Sequence, residues 1–135
     1  MRKKLCYFVI VSALFLTSCA GNGDWSYKLP NDFEVWHINS KEIIIKYVGE
    51  DIVEANIPSF VKEFSYDDRY VFTRNIDNIS DDNIFEEKYY LLDTKEHKVY
   101  GPFDNVEEMQ NQANELQCNI PEKWYRTSPD PNMYN

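Results

Sequence analysis

The side chains in this sequence able to do chemistry are three cysteines, two histidines and a high density of acids. Each chemistry carries a spacing requirement. A zinc site needs His, Cys or acidic ligands clustered at short intervals. His37 and His97 lie far apart, and each reads as an ordinary polar residue on a strand or turn. A Ser-His-Asp set needs a histidine base, and no such motif surrounds Ser40 or Ser80. Asp77, Asp81, Asp82, Glu86 and Glu87 form the densest acidic stretch. A calcium loop places oxygens at alternating positions around a glycine bend. Asp77 to Asn83 lacks the glycine and matches the spacing only in part, so it reads as a solvated loop. Paired carboxylates from the same stretch could do acid–base work in a cleft. Beyond position 18 the glycines are Gly21, Gly23, Gly49 and Gly101, which make no phosphate-cradling loop. The sequence therefore predicts no catalytic residue, no metal ligand, no cofactor-binding residue and no cofactor.

Cys19 stands apart from these. Arg2, Lys3 and Lys4 open the chain, an apolar run extends from Leu5 to Leu16, and Leu16-Thr17-Ser18-Cys19 closes it. As a helix the run spans about 18 Å against a hydrocarbon core of about 30 Å. It is too short to span a bilayer stably but suits the h-region of a secretory signal. The order resembles a bacterial lipoprotein signal. That resemblance implies cleavage before Cys19 and a diacylglyceryl group on its sulfur. Each buried methylene contributes about 0.8 kcal/mol, and two acyl chains anchor stably where one does not. The expected location is the outside of the cell membrane, held by lipid. In a bacterium with two membranes, Ala20 after Cys19 resembles the outer-membrane sorting pattern. Cys6 would leave with the signal. Cys118, then the sole free thiol, cannot form an intrachain disulfide. Gln117 and Asn119 offer it neither base nor positive charge, so it reads as a small, semi-buried apolar residue.

Charge bounds the partners. The whole chain carries −9, and residues 1–18 hold three of its 14 Lys+Arg and none of its 23 Asp+Glu. Eleven basic residues then face 23 acidic ones, a balance of −12. Phosphate binding needs a basic face, so nucleic acid is excluded as a partner. An anionic leaflet repels such a domain, whereas a cationic protein partner is favoured. The tether Ala20 to Asp24 reaches about 17 Å fully extended. The domain is expected close to the membrane but pushed off it by its own charge.

The elements follow from period and punctuation. Residues 1–18 are the signal, 19–26 the lipidated tether, 27–120 a single β-rich domain and 121–135 a loose tail onto which Trp124 and Tyr125 can dock. Phe33 to Ile38 and Glu42 to Val48 read as strands across a tight Asn39-Ser40 turn, with Ile43-Ile44-Ile45 suggesting burial on both faces. Ile52 to Ile57 alternates polar and apolar, as does Phe60 to Tyr66. Asp67-Asp68 suits a turn, and Arg69 to Ile76 is β-rich. Phe85 to Leu92 and Lys98 to Tyr100 flank a hairpin at Asp93 to His97. About six or seven short strands over 33–100 predict an antiparallel meander of α+β class. Asp104 with Glu107 resembles a capping box. Val106, Met109, Ala113 and Leu116 recur at helical spacing. A helix over about 105–117 is expected, its stripe packed on a sheet face, stopped by Asn119 and Pro121.

Tyr27, Trp36, Tyr47, Tyr66, Tyr70, Tyr89, Tyr90 and Tyr100 fall mostly on these strands. Sheet packing is the simpler reading; a tyrosine-bearing recognition face is the sharper one. Trp36-His37-Ile38-Asn39-Ser40, Tyr66-Asp67-Asp68-Arg69-Tyr70-Val71 and Tyr89-Tyr90-Leu91-Leu92-Asp93-Thr94 through Val99-Tyr100-Gly101-Pro102-Phe103 resemble a family of small bacterial lipoproteins known only as a domain of unknown function. The resemblance implies a compact domain and the same address. It lends no catalytic residue. The leading expectation is a lipid-anchored, non-catalytic binding module of the cell envelope. The alternatives are a self-protection inhibitor of a basic toxin or wall-degrading enzyme, and a hydrolase using acids of the 77–87 region.

Overall fold

The computed structural model describes residues 24–78, 85–128 and 131–134. The signal at 1–18, Cys19 and the acids Asp81 and Asp82 lie outside the described residues. Among the described residues, two antiparallel sheets and one α-helix make an α+β fold. The first sheet has the order β1-β2-β3, with β1 at Trp25–Lys28, β2 at Phe33–Asn39 and β3 at Glu42–Tyr47. The second comprises β4 (Val61–Tyr66), β5 (Tyr70–Asn78), β6 (Phe85–Asp93), β7 (Lys98–Phe103) and β8 (Tyr125–Arg126), in the order β7-β6-β5-β4-β8. Helix α1 spans Val106–Glu115 and a 3-10 turn spans Pro131–Tyr134.

Period-2 alternation on β5 and β6 splits the large apolar side chains between two cores. Val71, Tyr90 and Leu92 face the three-stranded sheet, where they meet Tyr27, Phe33, Val35, Ile43 and Ile45. Tyr70, Phe72, Tyr89 and Leu91 face the other way, toward Met109 and Ala113 of α1 and Cys118. The five-stranded sheet is thus the middle of three layers, buried on both faces over its centre. That explains why Tyr89-Tyr90-Leu91-Leu92 reads as a continuous apolar run.

Several expectations are corrected by the register. Strand β1 takes in Trp25 and Ser26, the last residues of the expected tether, because Trp25 to Lys28 pair with His37 to Glu34. Ile44 is half-buried, opposite Trp36 on the outer face, while Ile43 and Ile45 are buried inside. Ile52 to Ile57 is not a strand: Ile57 alone bridges Ile45, and Pro58 has no N–H with which to continue a ladder. The segment still keeps its alternation, with Val53, Ala55 and Ile57 packed on the core and Ile52 fully exposed. The helix cap sits one residue later than expected. The Asn105 side chain accepts from the Glu108 N–H at 2.9 Å, and the Glu108 carboxylate accepts from the Asp104 N–H at 3.0 Å. Val106 is consequently exposed, and the buried stripe is Met109 and Ala113.

The expected loose tail is ordered where it is described. Tyr125 and Arg126 pair with Phe64 and Glu63. The buried Thr127 hydroxyl donates to the carbonyls of Val61 and Lys62, and Ser65 donates to the Lys123 carbonyl at 2.6 Å. β4 would otherwise be an open edge, and the tail supplies partners for its backbone groups.

Candidate binding groove

Among the described residues, those singled out for chemistry do not converge. His37 stacks on Trp25 at 5.4 Å between ring centroids, whereas His97 lies against Tyr47 and Phe33 at 4.9 and 5.8 Å. Cys118 is buried in the helix-side core, and burial first, then Asp67 and Asp93, pushes its thiol pKa up. Asp77 stands opposite Glu86 at the end of the β5–β6 ladder. Glu86 and Glu87 are exposed, the first paired with Lys88 at 3.2 Å and the second with Arg74 at 3.3 Å. Among the described residues no group of three His, Cys, Asp or Glu is arranged to hold a metal ion.

The tyrosines are divided, not gathered on one face. Tyr70 and Tyr89 belong to the helix-side core and Tyr27 and Tyr90 to the inter-sheet core. One aromatic cluster closes the end of the inter-sheet layer. Tyr27 packs edge-on to Phe64 at 5.1 Å, Phe64 stacks on Tyr125 at 5.3 Å, and the Tyr27 and Tyr66 hydroxyls hydrogen-bond at 2.7 Å. Burial, then the hydroxyls of Tyr66 and Tyr125, raise the Tyr27 pKa. At Tyr125 burial works upward, but Lys123 and the neighbouring hydroxyls outweigh it and lower the value. This cluster serves packing, with its polar tips paired to one another.

A concave feature among the described residues lies elsewhere. Helix α1 packs over β6 and β7 and leaves the β4–β8 side of the same sheet face open. A groove of about 410 Å³ lies there, lined by Phe60, Lys62, Glu63, Arg74, Ile76, Arg126, Thr127 and Ser128. Its floor is a cross-strand row. Arg126 on β8 pairs with Glu63 on β4, and Glu63 pairs with Arg74 on β5. The carboxylate divides between them, with Oε2 3.1 Å from Arg74 Nε and Oε1 3.7 Å from Arg126 Nε. A bulge makes the row possible. Val61 opposes Asn75 and Glu63 opposes Arg74, leaving Lys62 unopposed. Such an extra residue re-aims its neighbours' side chains, and Lys62 and Glu63 both line the groove.

Nothing local in the sequence marks this site. Glu63, Arg74 and Arg126 meet only through the strand order, and a two-residue β8 inside a Pro-rich stretch carries no period to read. What could have drawn attention is charge: Arg126 and Lys62 are among few cations in an acidic chain.

No curated protein and no solved structure matches the chain. Among the described residues no helix is long and apolar enough to cross a membrane. A family profile described as "Protein of unknown function (DUF3997)" matches residues 30–124. The match starts after β1 and stops before Tyr125 and Arg126, so it takes in Lys62, Glu63 and Arg74 of the groove floor. On this match over most of its length, the chain belongs to that family of unknown function.

Proposed function

We propose that this chain is a lipid-anchored protein on the outside of the cell membrane, and that its β domain is a non-catalytic binding module. The observation that carries the reading is Leu16-Thr17-Ser18-Cys19 at the end of a short apolar run behind Arg2, Lys3 and Lys4. With β1 beginning at Trp25, the domain would stand within roughly 20 Å of lipid on Cys19.

Binding is favoured over catalysis by what the ionisable side chains are occupied with. Asp93 is engaged by Arg69 and by two backbone N–H groups. Glu63 sits between two guanidiniums, and Glu87 is paired with Arg74 and accepts from the Tyr89 hydroxyl at 3.1 Å. Burial holds the Cys118 thiol in its unreactive form. Groups occupied in this way suit a structural role better than proton transfer, which supports the binding reading. Exposed Glu42, Glu50, Asp51, Glu54, Glu107 and Glu108 favour a cationic protein partner. Fully exposed Ile52 offers an apolar contact beside the exposed acids Glu50, Asp51 and Glu54.

Two experiments test the reading. Growth with an alkyne-bearing fatty acid should label the natural chain and leave Cys19→Ala unlabelled; equal labelling of both would remove the anchor. Cross-linking in cells should recover a basic protein, in an amount that falls with added salt. Recovery of no partner at any salt concentration would remove the binding module.

A further inference from the structure

The groove is an exception to the electrostatics of the chain that forms it. In a sequence of net charge −9, its lining holds Lys62, Arg74 and Arg126 against one acid, Glu63. Glu63 satisfies these cations only in part. Its oxygen lies 3.7 Å from Arg126 Nε, beyond hydrogen-bond length, and the Arg126 side chain is 75% exposed. Arg74 donates from Nη1 to Glu87 at 3.3 Å, while its Nε, 3.1 Å from Glu63, makes no hydrogen bond, and 25% of its side chain is accessible. The Lys62 side chain is exposed and belongs to none of the ion pairs formed among the described residues. Phe60 and Ile76 supply an apolar wall, and Ser128 a hydroxyl-bearing rim.

We propose that this groove binds a carboxylate joined to an apolar group, with Arg126 and Lys62 taking the anion and Phe60 and Ile76 taking the hydrocarbon part. The guanidinium fork matches a carboxylate through two parallel hydrogen bonds. Glu63 stands beside the anion position and repels a second negative charge, which disfavours a phosphate dianion. The volume, about 410 Å³, is that of a small-ligand site. The chemistry is shared by an N-acylated amino acid and by the C-terminal residue of a peptide. None of the exposed acids proposed to meet a protein partner lines this site, so either reading can fail without the other.

The test is an amide chemical-shift titration of the full chain in detergent micelles. The probes are N-acetyl-L-leucine, its carboxamide, acetyl-Gly-Gly-Leu and inorganic phosphate. The acid is expected to shift the amides of Lys62, Glu63, Arg126, Thr127 and Ser128, with the carboxamide and phosphate at least tenfold weaker. Tighter binding of the peptide acid than of the acetylated amino acid assigns the ligand to a chain end, and equal binding assigns it to a free acid. Arg126→Gln should weaken the acid on the order of tenfold, the loss expected for one charge-assisted hydrogen bond. Lys62→Gln should weaken it less. Both side chains are exposed, so unchanged amide spectra elsewhere verify the fold. Equal binding of acid and carboxamide, tighter binding of phosphate, shifts spread away from the groove, or no effect of Arg126→Gln would each overturn the proposal.

Discussion

Asp93 holds Arg69 through two parallel hydrogen bonds, Nε to Oδ1 at 3.0 Å and Nη2 to Oδ2 at 2.9 Å. The Asp93 side chain is only 3% exposed. Its Oδ1 also accepts from the N–H groups of Lys95 and Glu96 at 3.1 and 3.2 Å. The Thr94 hydroxyl donates to the Arg69 carbonyl and accepts from Asn31. Three turns are thereby tied at one end of the molecule: β1–β2 through Asn31, β4–β5 through Arg69, and β6–β7 through Asp93.

The pH dependence of stability follows from this pair. Burial alone would raise the Asp93 pKa, but Arg69 and the two backbone donors outweigh it, and the folded value is lowered. A lowered carboxylate pKa stabilises the fold in full above the unfolded value of about 3.9, and the contribution is lost as pH falls through the folded value. Asp93→Asn should cost about 1–3 kcal/mol at pH 7. In thermal melts, the gap in Tm between the natural chain and the variant should narrow below about pH 4. A gap of constant size down to pH 2 would contradict this account.

Gly101 should tolerate no side chain. Its φ of +114° lies where L residues are strained. A Cβ there would meet the Tyr89 carbonyl oxygen at 2.7 Å, a backbone atom that cannot swing aside. The position lies on β7 beside an irregularity in pairing between Tyr89 and Leu91. Gly101→Ala is expected to lose about 1–3 kcal/mol in denaturant unfolding. A variant as stable as the natural chain would show that β7 readjusts.

Cys118 should behave as a packing residue. With Cys6 and Cys19 replaced by serine, its thiol is the sole one in the chain. Burial against Met109 and Ala113 and the raised pKa both predict slow labelling by a disulfide reagent at pH 8, and fast labelling once the chain is denatured. Equal rates in the two states would place the thiol at the surface.

The sequence was legible where contacts are local. The Asn39-Ser40 hairpin, the Asp67 turn and the Asp93 to His97 hairpin each lie within a few residues, and residue type alone announced them. Asp67 shows why: its side chain accepts from the N–H groups of Arg69 and Tyr70, at 2.9 and 2.7 Å. Alternation set Val53, Ala55 and Ile57 on one side, which packs on the core, but period reports facing, not pairing. The Arg126–Glu63–Arg74 row was invisible because it needs strand order and a bulge, neither of which has a local signature. The two cores were likewise hidden inside one apolar run, Tyr89 to Leu92, until the register separated its two faces.

As proposed, the folded domain hangs from a lipid-bearing Cys19. The most direct test of this proposal is the mass of the amino-terminal peptide from protein purified out of the membrane fraction. The expected peptide begins at Cys19 and is heavier by a diacylglyceryl group on sulfur. A peptide beginning at Met1, with the protein recovered in the soluble cytosolic fraction, would contradict it.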